Sequence, residues 1–175
     1  VRRELAIPTV MNMVGPLANP AGAGRQVVGV ADMRRVPLIA GALRALRATH
    51  ALVVHGEPGM DEISPLGSTH VIEILDDRVS QWTIQPTRYG FSSGSAAELA
   101  GGDASHNAAI VRAVLLGEGN ATATQAVALN AAAALHVAPD GPADFGDAVS
   151  AATKGIHDGV GIQALDRLAA AYRQV

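Results

Sequence analysis

Two kinds of apolar pattern alternate in the first half of the chain. Continuous apolar runs at Gln26–Ala31 and His50–Val54 predict strands that are buried on both faces, as in a parallel sheet covered by helices. Between them, apolar residues recur at a spacing of three and four, which predicts a helix over residues 34–47. Strand, helix and strand in this order predict a βαβ unit. The apolar face of that helix comprises Val36, Ile39, Ala40, Leu43 and Leu46.

The pattern changes after this unit. Two β-prone runs, Thr69–Leu75 and Val79–Gln85, are separated by polar residues and predict a hairpin, which we place at the edge of the sheet. From Ala96 onward the chain is alanine-rich, and we expect helices at residues 104–116, 121–137, 143–155 and 161–174, with Asp103 capping the first of them. The predicted fold is therefore α/β: a largely parallel sheet with an antiparallel edge hairpin, flanked by helices, and a helical carboxyl-terminal portion.

The residues before the first strand have a different character. Residues 1–6 resemble the last turn of a helix, residues 8–12 look extended, and Gly15–Gly22 is dense in Gly, Pro and Asn, which predicts an ordered loop. The first residue is Val, and the opening residues read like the middle of an element. We therefore expect the chain to be a fragment of a longer protein.

Composition narrows the class of protein. With 175 residues the chain can form one well-buried domain, and 49% hydrophobic but only 3% aromatic residues imply an aliphatic core. A net charge of −3 argues against nucleic-acid binding, although local arginines and helix N-termini could still bind small anions. No apolar run approaches the roughly 20 residues of a membrane span, and no signal peptide is evident. The absence of cysteine rules out disulfides and thiolate metal sites, and it fits a cytoplasmic location.

The sharpest chemical feature is the adjacent pair Asp61 and Glu62. The pair lies in a glycine-containing loop just after the apolar run 51–54. Ligands of parallel α/β sheets bind outside the carboxyl ends of the strands, and Mg²⁺ commonly takes one or two carboxylates together with substrate phosphates. The segment therefore predicts a metal–phosphate site. The alternative is a pair of solvated carboxylates on a surface loop.

Other candidate residues have an ordinary interpretation beside the functional one. Gly15 and Pro16 could form a rigid wall against a flat substrate, or simply a turn-rich connection. Arg2 could bind a carboxylate bidentately, or be solvated like most arginines. His55 could line the acidic site, although packing at a strand end is favoured. We interpret Gly101-Gly102-Asp103 as a chain reversal and helix cap rather than a phosphate loop.

Four segments of the sequence belong together: Val1-Arg2-Arg3-Glu4-Leu5, Asn12-Met-Val-Gly15-Pro16-Leu17-Ala-Asn19-Pro20, Val54-His55-Gly56-Glu-Pro-Gly59-Met-Asp61-Glu62 and Gly101-Gly102-Asp103-Ala-Ser-His-Asn107-Ala. In matching order and over the full length of the chain, they resemble the anthranilate phosphoribosyltransferase family. The resemblance implies transfer of the phosphoribosyl group of 5-phosphoribosyl 1-diphosphate to anthranilate, in tryptophan biosynthesis. It also implies a requirement for Mg²⁺ and a homodimer assembled through a separate helical domain.

The resemblance also implies roles for individual residues. Asp61 and Glu62 fall on the acidic metal pair of the family, Arg2 on the arginine that contacts anthranilate, and Gly15 and Pro16 on the segment that lines the anthranilate channel. No residue is assigned as catalytic, because the reaction depends on positioning the substrates and neutralising the leaving group.

The departures from the family pattern matter as much. The Gly-Thr-Gly-Gly-Asp diphosphate loop is absent, so the resemblance implies that residues 1–175 are the carboxyl-terminal part of the catalytic α/β domain, without the helical domain, and inactive alone. Ala6 and Met11 stand where the family more often has glycine and an aromatic residue, which leaves acceptor specificity open. A non-catalytic binding protein on the same scaffold is the alternative, and the net charge and the intact acidic pair weigh against it. A pyrimidine nucleoside phosphorylase is disfavoured by the segment from Gly15 to Pro20.

Overall fold

The structure is a computed structural model that describes residues 15, 17, 18, 21–92 and 94–172. Its sheet contains strands β1 (Arg25–Gly29), β2 (His50–Gly56), β3 (Thr69–Leu75) and β4 (Arg78–Ile84), in that spatial order. The pair β1 and β2 is parallel, whereas β2–β3 and β3–β4 are antiparallel. The α/β class and the antiparallel edge hairpin are confirmed.

The parallel share of the described sheet is smaller than expected, and the connections explain why. Helix α1 (Val36–Ala45) crosses over between β1 and β2, which permits parallel pairing. The connection from β2 to β3, residues 57–68, contains no helix, and β3 returns antiparallel beside β2.

Two short 3₁₀ helices, Pro86–Tyr89 and Ala96–Leu99, follow the hairpin, and four α-helices, all of them predicted, come after these. They are α2 (Ala104–Leu115), α3 (Ala121–Val137), α4 (Phe145–His157) and α5 (Val160–Tyr172). The first three begin after a side chain that accepts backbone N–H groups of the first turn: Asp103, Asn120 and Asp144 respectively. The Asp144 cap explains why α4 begins two residues later than expected. None of the helices in the described part of the chain has the length and hydrophobicity needed to span a membrane.

Two apolar clusters cover the two faces of β2. Alternate residues of a strand point to opposite faces, so Leu52 and Val54 enter one cluster and Ala51 and Val53 enter the other. The first cluster packs against α3 and α4, largely through alanines, and the second packs against α1. β2 is therefore buried along its length, as its apolar run predicted, and its carboxyl end is held in a fixed position.

The amino-terminal expectations fall mostly outside the described residues, including those for Arg2, Ala6, Met11 and Pro16. Gly15 and Leu17 are described, and both are helical, so the prediction of a loop over Gly15–Gly22 is wrong at these positions. Gly, Pro and Asn favour loops only locally, whereas Leu17 packs against the cluster around α1. That tertiary contact accounts for the different backbone.

Candidate functional site

The loop 57–68 follows the carboxyl end of β2 and carries the acidic pair. The side chains of Asp61 and Glu62 are both exposed. Within the described residues, neither carboxylate takes part in a hydrogen bond or an ion pair. The described part of the chain therefore leaves both carboxylates open to a cation at this edge of the sheet.

Two glycines at the strand ends allow the acidic pair to lie against the sheet. A Cβ atom on Gly29 would lie 1.6 Å from the carbonyl oxygen of Asp61, and one on Gly56 would lie 2.5 Å from that of Glu62. Neither distance is sterically possible, so both positions require glycine. The main chain of the acidic pair thus packs directly on the ends of β1 and β2.

The residue after the pair is held by a side chain from α3. The buried Ile63 donates its N–H to Oδ1 of Asn130 at 2.9 Å, and Nδ2 of Asn130 donates to the Ile63 carbonyl at 3.0 Å. The same Nδ2 also donates to the carbonyl of Ala126, one helical turn earlier, at 2.9 Å. One amide therefore satisfies both main-chain groups of Ile63.

The rest of the loop is closed by its own hydrogen bonds. Gly56 and Met60 exchange backbone hydrogen bonds of 3.0 and 2.7 Å, and the Ser64 N–H donates to Oγ1 of Thr69 at 2.9 Å. The hydroxyl of Ser64 donates to the carbonyl of Glu57. The carboxylates of the acidic pair therefore extend from a backbone that is fixed on both sides.

The carboxyl end of β1 contributes charged groups that sequence reasoning did not single out. Asp32 caps a short 3₁₀ helix, Met33–Arg35, and accepts hydrogen bonds from Nε and Nη2 of Arg34 at 3.0 and 2.9 Å. These hydrogen bonds lower the pKa of Asp32 to about 2. The only signal in the sequence was an aspartate at a strand-to-helix junction. This edge of the sheet thus carries both acidic and basic groups.

His55 lies at the same edge, in the packing role favoured for it. Its Nδ1 donates to the carbonyl of Val30 at 2.8 Å, which ties the end of β2 to the segment after β1.

The Gly101-Gly102-Asp103 segment also takes the role predicted for it. Asp103 accepts the N–H of His106 at 2.8 Å as a helix cap, and this bond lowers the pKa of Asp103.

A second polar cluster, which sequence reasoning missed, lies at the opposite end of β2. Glu73 of β3 accepts hydrogen bonds from Nε2 of His50 at 2.7 Å, Nε2 of His136 at 3.2 Å and Nε1 of Trp82 at 2.9 Å. The other ring nitrogen of His136 donates to the carbonyl of Pro142 at 2.9 Å. These side chains come from β2, β3, β4 and α3, so no spacing in the sequence indicates the cluster.

The geometry of this cluster is that of proton-bridged groups. Both nitrogens of His136 face acceptors, so the ring satisfies both contacts only when it is doubly protonated. The hydrogen bond with Glu73 raises the pKa of His136. The hydrogen bond from His136, with those from His50 and Trp82, lowers the pKa of Glu73 to about 2. The atoms that His50, Glu73 and His136 could offer to a metal lie within 4.8 Å of one another. A metal would have to displace the protons of the hydrogen bonds that join these atoms.

The chain matches known proteins along almost its whole length. Residues 1–162 match the family model described as glycosyl transferase family, a/b domain. The anthranilate phosphoribosyltransferase of Anaeromyxobacter dehalogenans (strain 2CP-C) is 50% identical over 171 residues, which are 98% of this chain and 50% of that protein. The enzyme of Rubrobacter xylanophilus is 42% identical over all of this chain and 51% of its own length. The chain thus spans about half the length of the curated relatives it matches.

Solved structures agree with the fold. The crystal structure of anthranilate phosphoribosyltransferase from Thermus thermophilus superposes with a TM-score of 0.84 at 36% identity, over 95% of this chain and 48% of that one. The enzyme from Saccharomyces cerevisiae in complex with PRPP and Mg superposes with a TM-score of 0.82 at 26% identity, over 94% and 47% of the two chains. The same yeast enzyme in complex with 4-fluoroanthranilate has a TM-score of 0.81 at 25% identity, over 94% and 48%. By its sequence and its sheet topology, the chain belongs to the glycosyl transferase family, as an α/β domain of that family.

Proposed function

We propose that this chain is part of an enzyme that transfers the phosphoribosyl group of 5-phosphoribosyl 1-diphosphate to anthranilate in tryptophan biosynthesis. The observation that carries the proposal is the exposed acidic pair at the carboxyl ends of β1 and β2, whose carboxylates no described residue pairs with. The names of the relatives support the choice of substrates. Those names describe the activity of whole proteins, and this chain spans about half of each. The yeast relative with PRPP and Mg supports the choice of metal.

The residues of the acidic pair fit a Mg²⁺ ion. Asp61 and Glu62 offer hard oxygen ligands from adjacent positions, and no described side chain competes for them. Their backbone is fixed against the strand ends, so little ordering is needed when a cation binds. Bound there, Mg²⁺ would neutralise the diphosphate leaving group.

The proposed reaction depends on how the enzyme positions its two substrates rather than on a reactive side chain. The amine of anthranilate attacks C1 of the ribose as diphosphate leaves, and positive charge develops on the sugar. Aligning the two substrates and stabilising the leaving group lower the barrier without a nucleophile–base pair. In our proposal Arg2, Gly15 and Pro16 contact the acceptor, and the acidic pair of this chain serves the donor side.

The arrangement of the complete protein is part of the same proposal. Residues 1–175 would form the carboxyl-terminal part of the catalytic α/β domain, and the helical domain and the diphosphate loop would come from elsewhere in the protein. A cytoplasmic location and a homodimer in the complete protein belong to this proposal as well. Sedimentation of the complete protein would test the dimer.

The deciding experiment replaces the carboxylates one at a time. Asp61→Asn and Glu62→Gln in the complete enzyme should lower turnover and raise the Mg²⁺ concentration needed for half-maximal rate. Asp77→Asn is the matched control, because Asp77 is an exposed acid in the β3–β4 turn, at the opposite end of the sheet. Steady-state rates across a Mg²⁺ series provide the measurement. An unchanged rate and Mg²⁺ dependence in both acidic-pair variants would contradict the metal assignment.

A further inference from the structure

Asn130 occupies a position in α3 where asparagine is a poor choice for the helix itself. Asparagine competes for backbone hydrogen bonds and is disfavoured inside helices. The neighbouring Leu129, Ala132 and Ala133 are fully buried in the core between α3 and the sheet. The reason for an amide at this point must therefore lie in what it binds outside the helix.

What it binds is the main chain of one residue. Ile63 is fully buried, so its N–H and C=O cannot reach water, and Asn130 pairs with both. A serine or threonine hydroxyl can donate and accept, but it does both from one oxygen on a shorter side chain and cannot replace Oδ1 and Nδ2, which are separate atoms directed at the two groups. The side chain thus acts as a two-point connection between α3 and loop 57–68.

This connection holds the acidic pair in a way that the glycine contacts do not. Gly29 and Gly56 set how closely Asp61 and Glu62 can approach the strand ends, but a steric contact exerts no directional pull. Among the described residues, the only hydrogen bonds to the main chain of residues 61–63 are those made by Asn130. The amide therefore fixes the point from which the two carboxylates extend.

We propose that Asn130 is a positioning residue for the divalent cation, acting through Ile63 on the carboxylates of Asp61 and Glu62. The inference rests on the proposed function, since it assumes that these carboxylates hold the cation. Partners that orient metal ligands typically change metal affinity by about 10–100-fold when they are removed. The substrate contacts outside the metal site are unaffected by this mechanism.

The test uses Asn130→Ala and Asn130→Asp in the complete enzyme. The alanine removes both hydrogen bonds, whereas the aspartate can still accept the Ile63 N–H but cannot donate to its carbonyl. Both variants should raise the Mg²⁺ concentration for half-maximal rate by roughly tenfold or more and leave the KM for anthranilate nearly unchanged. Hydrogen exchange at the Ile63 amide should be faster in the alanine variant than in the aspartate variant.

Val149→Ala is the matched control, because Val149 is a buried residue of the same core cluster on α4 and its side chain has no polar group that could pair with the main chain of loop 57–68. If it shifts the Mg²⁺ requirement as much as Asn130→Ala, the effect is one of general stability and the inference is overturned. Failure of both Asn130 variants to fold while Val149→Ala folds would likewise leave only a structural role.

Asp61→Asn, measured in parallel, separates the two proposals. If Asp61→Asn changes the Mg²⁺ dependence and the Asn130 variants do not, positioning fails and the metal site stands.

Discussion

His136 donates from Nε2 to Oε1 of Glu73 at 3.2 Å, and this bond joins the end of α3 to the middle of β3. The side chains are only 7% and 16% exposed, so solvent screens the pair weakly. Because the other nitrogen of His136 donates to the carbonyl of Pro142, the ring can satisfy both partners only when it is protonated. The stability of the fold is therefore linked to pH through a residue far from the acidic pair.

The first prediction concerns this linkage. The raised pKa of His136 means that its contribution to stability is complete below its usual value of 6.5 and is lost as pH rises through the folded-state pKa. The lowered pKa of Glu73 means that its contribution is complete above 4.5 and is lost as pH falls towards about 2. Urea unfolding across pH should show that the pair contributes most to the free energy of unfolding between pH 4.5 and 6.5. In that range His136→Leu should lower the free energy of unfolding by about 1–3 kcal/mol.

The control for this measurement is His106→Gln, because His106 is exposed on α2. In the described part of the chain, the other titratable or charged groups around His136 are His50 on β2, Glu73 on β3, Asp144 before α4 and Arg25 on β1, whose Nη1 donates to the carbonyl of Val137. An alkaline decline in stability that is equal in the wild type and in His136→Leu would show that this histidine is not the group responsible.

The second prediction concerns the glycine beneath the acidic pair. Gly29→Ala places a methyl group against the carbonyl of Asp61, and the forced displacement should destabilise the protein by about 1–3 kcal/mol. Gly41→Ala makes the same chemical change in the interior of α1, where the added Cβ would meet no atom within 4 Å other than the neighbouring backbone of the helix itself. This substitution should stabilise the protein by up to about 1 kcal/mol. Unfolding free energies of the two variants provide the comparison, and a neutral Gly29→Ala would argue against the close contact.

The third prediction separates the two adjacent arginines. Arg2→Ala in the complete enzyme should raise the KM for anthranilate more than that for the diphosphate donor. Loss of a charged hydrogen bond to the carboxylate of the acceptor costs about 1.5–3 kcal/mol. Arg3→Ala is the control, because Arg3 is the adjacent residue of equal charge and the family resemblance gives it no contact with the acceptor. Equal effects of Arg2→Ala on both substrates would indicate a general structural role.

The fourth prediction concerns the 175-residue chain by itself. It should form no phosphoribosyl anthranilate, because the glycine-rich diphosphate loop of the family is not in its sequence. Without that loop the donor is not aligned with the acceptor, and alignment can lower a barrier by about 7–11 kcal/mol. Product formation is assayed beside the complete enzyme. Turnover by a preparation that mass spectrometry shows to contain residues 1–175 alone would contradict the proposed division of the site.

Local signals were enough to predict most of the elements. The spacing of apolar residues placed α1, and the cap at Asp103 placed the start of α2, because helix formation depends on neighbouring residues. The acidic pair was found because it directly follows a buried strand. The loop predicted at Gly15 was wrong because composition does not report the packing of Leu17.

The contacts that join distant parts of the chain left no such signal. Asn130 reads as one polar residue in an alanine-rich helix until Ile63 is brought beside it. Glu73 and His136 likewise become partners only when α3 lies across the sheet. Pairings of this kind depend on the tertiary fold and not on sequence spacing, which is why the residue that holds loop 57–68 was harder to predict than the acidic pair within the loop.

The close contact between the acidic pair and the strand ends limits how this loop can be reused. A designer who transplanted only residues 57–68 onto another βαβ scaffold would bring the carboxylates but not their support. The recipient would need glycine where each parallel strand ends, at the places of Gly29 and Gly56, and an amide at the place of Asn130 on a helix behind the sheet. The smallest portable form of this site is therefore two strands, one loop and one helix.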